Sequence, residues 1–202
     1  MSSGKKFSYG SHAEQFIRLT YPEQEKHGNE GGAVDKCPVI AIIHGGFWKE
    51  KYGVDNSAID SLCPFFAARG FAVCEVEYRR REHEGGGFPG TNLDCVSALR
   101  HLHELSQQAG SRLDTSRLVL LGHSAGAYLA LWVCCSKAEY SPRLDFSPLL
   151  CIALAPIADL RAAHSLGLGD EGDAVHRYEE TPRRSCAFLL VLTKHSRSHT
   201  RH

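Results

Sequence analysis

The chain has 202 residues, of which 43% are hydrophobic, which is enough for the core of one domain. It carries 23 Lys and Arg against 23 Asp and Glu, so the formal net charge is zero and nothing favours nucleic acid or an anionic membrane surface. No apolar segment follows the first lysines, and no apolar run approaches the ~20 residues that span a bilayer. We therefore expect a cytoplasmic protein with a small-molecule partner.

The eight cysteines are too sparse and irregular for a disulfide framework, and none forms a C-x-x-C pair suited to zinc. Most fit small core residues of a protein in a reducing cytosol. We expect no metal and no cofactor.

The first predicted elements alternate between strand and helix. Residues 16–21 alternate in polarity and predict an edge strand, and residues 39–43 form the apolar, β-branched run typical of a parallel strand buried on both faces. A helix is predicted near residues 56–69, where Gly70 ends it, and a strand at residues 71–78.

The same alternation continues to the end of the chain. Residues 92–108 predict a helix with a threonine or asparagine cap. Further elements are predicted at residues 118–121 (strand), 125–136 (helix), 149–155 (strand) and 186–193 (strand). This pattern predicts right-handed βαβ crossovers and a mostly parallel sheet with helices on both faces. We expect residues 1–193 to form a single domain and residues 194–202 a basic, disordered tail.

The most informative segment is Gly-His-Ser-Ala-Gly at residues 122–126, directly after an apolar strand. A serine at the apex of a sharp strand-to-helix turn exposes its hydroxyl above the sheet, where it can act as a nucleophile. Gly122 and Gly126 lack the side chains that would obstruct the close passage of strand and helix. Ser124 is therefore the candidate nucleophile, and an ordinary tight turn is the alternative.

A second glycine motif, His-Gly-Gly-Phe-Trp at residues 44–48, follows another buried strand. Attack of a serine on a carbonyl creates an oxyanion, and each backbone N–H aimed at it lowers the barrier by about 3–4 kcal/mol. We expect Ala125 N–H to be one donor and the Gly45 and Gly46 segment to supply the other. Phe47 and Trp48 predict either an apolar substrate wall or packing under a loop.

Together the two motifs resemble those of α/β-hydrolases of the esterase, lipase and kynurenine formamidase (arylformamidase) group, over roughly residues 17–160. Tyr-Arg-Arg at residues 78–80, Phe-Pro-Gly at residues 88–90 and Ala-Pro-Ile-Ala-Asp at residues 155–159 fit the same group. The resemblance implies an α/β-hydrolase fold and acyl transfer from a small ester or amide to water through Ser124. It identifies no substrate and does not separate a hydrolase from an acyltransferase.

The same resemblance implies an acid after the seventh strand and a histidine after the eighth. The predicted strand at residues 186–193 would be the seventh, and residues 194–202 after it contain no Asp or Glu. No later strand follows to carry the histidine. We therefore expect that the last strands are missing, through C-terminal truncation by a splice or frame variant.

Substitutes for the acid and the base are few. Asp159, after the sixth strand, could supply the acid, and a helix cap is its alternative role. Candidate bases lie in a polar segment that resembles a lid region and in the basic tail: His164, His176, His195 and His199. His101 and His103 are expected on a helix surface, and His44 and His123 are expected to shape the pocket. The alternative function is a catalytically incomplete hydrolase-fold protein that acts at most as a binding module.

Overall fold

A central sheet organises the computed structural model, which describes residues 4–23, 35–57, 59, 61–135, 144, 146–169, 175 and 178. Its six strands within these ranges are β1 (Lys5–Ser8), β2 (Phe16–Thr20), β3 (Cys37–Ile43), β4 (Ala72–Val76), β5 (Leu113–His123) and β6 (Leu150–Leu154). The strand order across the sheet is β1-β2-β4-β3-β5-β6. β4, β3, β5 and β6 run parallel, whereas β1 and β2 pair antiparallel. The expected mostly parallel sheet is confirmed.

Helices cover both faces of this sheet, as predicted. The helices of the described ranges are α1 (Leu62–Ala67), α2 (Gly90–Gln107), α3 (Ala125–Cys135) and α4 (Leu160–Ser165). Val39, Ala41 and Ile43 of β3 face the core under α2 and α3, whereas Ile40 and Ile42 face the core under α1. Because both faces of β3 are buried, its sequence is a continuous apolar run rather than an alternating one.

The prediction of an edge strand at residues 16–21 is wrong. β2 lies between β4 and β1, with Lys5 paired opposite Leu19. The Lys6 ammonium lies 3.5 Å from the centroid of the Phe16 ring. A short strand with lysines is typical of a protected sheet edge, but it has no apolar alternation from which a strand could be predicted.

The first helix begins later than predicted, because a turn occupies residue 56. Gly53 N–H donates to Asn56 Oδ1 at 2.8 Å, and Asn56 N–H donates to Gly53 O at 3.2 Å. An asparagine side chain bonded in this way stabilises a turn rather than a helix. α1 starts at Leu62, with Pro64 in the first turn, where a helix tolerates a missing N–H.

The predicted threonine or asparagine cap of α2 is also wrong. The helix begins at Gly90 with Pro89 at the N-cap position. Thr91 Oγ1 donates to Arg79 O, and Asn92 Oδ1 accepts from Tyr178 Oη. Both side chains are used in tertiary contacts, so neither caps the helix.

Several expectations fall on residues that the structure does not describe. These are the strand at residues 186–193, the tail at residues 194–202, and His176, His195 and His199. The single domain over residues 1–193 stays a prediction. Among the described residues, no helix is both long enough and apolar enough to cross a membrane, and no three His, Cys, Asp or Glu form a group that could hold a metal.

Candidate active site

Ser124 lies at the sharp turn between β5 and α3, the strand-to-helix position that the motif predicts. Its φ is +54°, a left-handed value that costs about 1–2 kcal/mol for a residue with a side chain. Ser124 N–H donates to Leu154 O at the end of β6, at 2.9 Å, and Ser124 O accepts from Ala127 N–H at 3.0 Å. The serine is half-buried at the carboxyl edge of the parallel strands.

Two glycines make this turn possible. A β-carbon on Gly122 would stand 2.2 Å from Gly126 O, and one on Gly126 would stand 2.2 Å from Ile43 O and 2.3 Å from His44 O. No side chain fits at such distances, so the first turn of α3 packs directly on the strands beside it.

The loop after β3 packs against the serine. A β-carbon on Gly45 would stand 2.7 Å from His123 O and 3.0 Å from Ser124 Cβ. Gly46, Phe47 and Trp48 follow with φ values of +115°, +52° and +56°. Consecutive left-handed residues store strain, and such strain concentrates at functional sites.

Three backbone amides near Ser124 belong to the glycine loop and to the start of α3. Within the described ranges, the N–H groups of Gly46, Phe47 and Ala125 donate to no protein acceptor. Ala125 is the first residue of α3, where the N–H has no intrahelical partner and the helix dipole is positive. Amides of this kind can donate to a developing negative charge.

The two aromatic residues of the loop have different environments. Trp48 is fully buried, with its ring stacked on Tyr178 at 4.1 Å and edge-on to Tyr128 at 5.8 Å. Phe47 is half-buried. Trp48 therefore packs under the loop, whereas Phe47 keeps part of its surface accessible.

A buried ion network behind the loop was not predicted from the sequence. His44 Nε2 lies 2.9 Å from Glu77 Oε1, and Glu77 also accepts from the Arg80 guanidinium and, at 2.9 Å, from Val54 N–H. Burial acts to raise the pKa of the Glu77 carboxyl, but the hydrogen bond and charge of His44, with Arg80, outweigh it and lower this pKa. One sequence feature could have indicated this network, namely a glutamate in an apolar segment, because a buried carboxylate requires partners.

Asp159 has the capping role that was its alternative interpretation. It is exposed at the N-cap position of α4, where Oδ1 accepts from Arg161 N–H at 3.0 Å and from Ala162 N–H at 2.9 Å. His164 is exposed in the same helix.

Other described histidines are engaged or distant. His103 Nδ1 lies 2.8 Å from Thr115 Oγ1, near the start of β5. β5 has 11 residues, and at ~3.3 Å per residue its length separates Thr115 from Ser124 by on the order of 25–30 Å. His101 lies 3.5 Å from Glu104 on the same helix. In the part of the chain that the structure describes, no histidine forms a hydrogen bond with Ser124 Oγ.

Known proteins resemble this chain in sequence and in fold. The model of the BD-FAE family matches residues 29–148. Esterase B from Lactobacillus rhamnosis (HN001) superposes with a TM-score of 0.67 at 26% identity, over 86% of this chain and 53% of that one. No curated protein matches the chain.

Two further esterases share the fold at lower identity. Thermogutta terrifontis esterase 2, phosphonylated by sarin, gives a TM-score of 0.66 at 21% identity, over 91% of this chain and 65% of that one. The carboxylesterase Cest-2923 from Lactobacillus plantarum WCFS1 gives a TM-score of 0.65 at 17% identity, over 88% of this chain and 63% of that one. The predicted α/β-hydrolase fold is confirmed, and the chain spans about half the length of the Lactobacillus rhamnosis esterase.

Proposed function

This chain belongs to the BD-FAE family, in the α/β-hydrolase superfamily, and on that premise we propose that it is a serine hydrolase. The proposed reaction transfers the acyl group of a small ester or amide to water through Ser124. The observation that carries the proposal is the contact of the Gly45 loop with a serine held at a φ of +54°. The esterase neighbours support a hydrolase function in general.

In the proposed mechanism, Ser124 Oγ gives its proton to solvent water and forms a bond to the substrate carbonyl carbon, while the carbonyl π pair moves to oxygen. Gly45 or Gly46 N–H and Ala125 N–H donate to this oxyanion. Collapse of the intermediate restores the carbonyl, expels the leaving group, which takes a proton from water, and leaves an acyl ester on Ser124. A second water loses a proton and adds to that ester. Ser124 then leaves as the alkoxide and is protonated by water, which releases the acid product.

Half-buried Phe47, next to Gly46, supports an apolar or aromatic group on the substrate. Arylformamides are therefore among the candidate substrates, in keeping with the motif resemblance. The eight cysteines, too sparse and irregular for a disulfide framework, support a reducing, cytoplasmic environment.

The second candidate function is a catalytically incomplete protein that binds an ester or amide without turning it over. It is favoured by the use of Asp159 as a helix cap and by the lack, among the described residues, of a histidine bonded to Ser124. Without a base, an oxyanion site and substrate binding alone give only ~10³–10⁴-fold catalysis over water.

An activated aryl ester such as p-nitrophenyl acetate tests both candidates. We expect slow acylation that disappears in Ser124→Ala and persists in Ser97→Ala, because Ser97 is an exposed residue of α2. Repeated turnover would favour the hydrolase, and one equivalent of nitrophenol with a lasting acetyl-Ser124 would favour the incomplete protein. Acylation that survives in Ser124→Ala would contradict both.

A further inference from the structure

Two hydrogen bonds fix the peptide groups of the loop that faces Ser124. Tyr78 Oη donates to His44 O at 2.8 Å, and Gly45 O lies 2.8 Å from His44 Nδ1. In a planar, trans peptide group the carbonyl of one residue points opposite to the N–H of the next. Fixing these two carbonyls therefore fixes the directions of Gly45 N–H and Gly46 N–H, the amides proposed to face the oxyanion.

The partners of the His44 ring define its protonation. Nε2 lies 2.9 Å from a Glu77 carboxylate oxygen and Nδ1 lies 2.8 Å from Gly45 O, and both oxygens are acceptors. A neutral imidazole has only one N–H, so one of its nitrogens would face an acceptor with a lone pair. Tyr78 Oη, at 3.4 Å from Nδ1, directs its own proton to His44 O. Donation to both oxygens requires the imidazolium.

The surroundings of His44 compensate a buried positive charge. His44 is 2% exposed and Glu77 is 3% exposed, so neither charge is well solvated. Glu77 lies between His44 and Arg80, and Arg80 also pairs with Glu14 at 2.6 Å. The charges of the His44 and Arg80 cations and of the Glu77 and Glu14 carboxylates therefore sum to zero. Tyr78 N–H, at 3.1 Å from Glu77 Oε1, holds the carboxylate in place.

We propose that Glu77 keeps His44 as an imidazolium and that this ion pair, with Tyr78, positions the Gly45 and Gly46 amides for oxyanion stabilisation. The inference rests on the proposed function, because it assigns the network a role in the chemistry of Ser124. His44, Glu77 and Tyr78 are positioning residues, since they act on the reacting atoms through the loop.

Tyr78→Phe and its matched control separate positioning from general stability. Tyr78→Phe removes the hydroxyl that holds His44 O and keeps the ring, which stacks on His44 at 4.4 Å. Tyr21→Phe is the matched control, because this half-buried ring lies beside Arg112, 5.3 Å from its guanidinium, at the end of β2 that is far from Glu77. Glu77→Gln removes the charge that opposes the imidazolium.

The first measurement is the rate of Ser124 phosphonylation by an activated aryl phosphonate, followed by release of p-nitrophenolate. We expect Tyr78→Phe and Glu77→Gln to react about 10-fold or more slowly than the unsubstituted chain, because misdirected oxyanion donors stabilise less charge. Tyr21→Phe should stay within about 2-fold, because a hydroxyl remote from the donors does not affect them. If Tyr78→Phe reacts as fast as Tyr21→Phe, the positioning role is wrong.

The second measurement is ¹⁵N NMR of the His44 ring, assigned by loss of its signals in His44→Asn. Both nitrogens should carry a proton at neutral pH in the unsubstituted chain, and one should lose it in folded Glu77→Gln. A neutral His44 in the unsubstituted chain would overturn the inference. If Glu77→Gln does not fold, the inference is tested by the phosphonylation rate of Tyr78→Phe and by the ¹⁵N spectrum of His44 in the unsubstituted chain.

These outcomes also separate the inference from the proposed function. Labelling at Ser124 with equal rates in all variants would overturn the inference and leave the proposed function standing. Without labelling of Ser124 in the unsubstituted chain, the proposed function fails and the positioning role fails with it.

Discussion

Gly45 lies so close to Ser124 that a β-carbon on Gly45 would stand 3.0 Å from Ser124 Cβ. The two residues follow β3 and β5, which pair in parallel with Ile43 opposite Gly122. Parallel pairing brings the carboxyl ends of both strands to one edge of the sheet, where ligands bind in open α/β folds. The glycine loop and the serine turn therefore form one candidate site.

Gly45→Ala should disrupt this contact. The new β-carbon would meet His123 O at 2.7 Å, so the loop must move away from the serine. We expect a loss of about 1–3 kcal/mol in the free energy of unfolding, by overpacking, and a slower reaction of Ser124 with p-nitrophenyl acetate.

Gly110→Ala is the control for this change. Nothing lies within 4 Å of its β-carbon position, although its φ is +76°. We expect the free energy of unfolding to fall by about 1–2 kcal/mol, the cost of a left-handed alanine, and the acylation rate to stay unchanged. An unchanged rate in Gly45→Ala as well would show that the loop takes no part in acylation.

Asp159 offers a test that separates capping from catalysis. Asp159→Ala should lower the free energy of unfolding by about 1 kcal/mol, because α4 loses its N-cap, whereas Asp159→Asn keeps an acceptor oxygen and the stability. We expect Asp159→Asn to acylate at the unsubstituted rate. A stable Asp159→Asn that reacts much more slowly would instead identify Asp159 as the catalytic acid.

The lowered pKa of Glu77 predicts a dependence of stability on pH. Its folded-state pKa lies below the ordinary value of 4.5. The stabilisation is therefore complete above that ordinary value and is lost as the pH falls through the folded-state pKa. Glu77→Gln has no such group, so its unfolding free energy should fall less over the same acid range.

Glu82→Gln is a suitable control for the pH experiment. Burial acts to raise the pKa of Glu82, but its bond to Arg81 outweighs this and lowers the pKa, as in Glu77. The Glu82 side chain is more exposed than that of Glu77. Solvent screening makes the contribution of such a pair small. If the two variants reduced the acid-induced fall of the unfolding free energy equally, a special role for the buried Glu77 carboxylate would be contradicted.

The parts of the site that could be predicted from the sequence are those set by local backbone constraints. Gly122 and Gly126 flank a serine after an apolar strand, and only a tight turn suits that arrangement. The structure shows the turn, and it places Gly45 against Ser124. The catalytic roles of Ser124, Gly45, Gly46 and Ala125 stay predictions.

The parts that could not be predicted depend on contacts between distant segments. Glu77 and His44 follow two neighbouring strands, β4 and β3, and although a buried glutamate indicates that a partner is needed, the sequence does not identify His44 as that partner. Lys5 lies in an edge strand that has no apolar alternation, so no sequence pattern predicts β1. At Asn56 the local sequence pattern predicts a helix, but the side chain accepts a hydrogen bond from Gly53 N–H and forms a turn instead.

Thiol reactivity tests the interpretation of the cysteines as core residues. Cys74 and Cys95 are fully buried, and burial raises the pKa of both thiols. Because the thiolate is the reactive form, iodoacetamide should leave both unmodified in the native protein and alkylate exposed Cys135 first. Peptide mass spectrometry before and after denaturation measures this order. Early alkylation of Cys74 in native protein would contradict the packing of β4.

The most direct test of the central claim is to map the covalent adduct formed with an activated aryl phosphonate. Peptide mass spectrometry of the unsubstituted chain should place the phosphonyl group on Ser124. Ser124→Ala should take up none, and Ser97→Ala should be labelled like the unsubstituted chain. A phosphonyl group on another residue, or equal labelling of Ser124→Ala, would contradict Ser124 as the nucleophile.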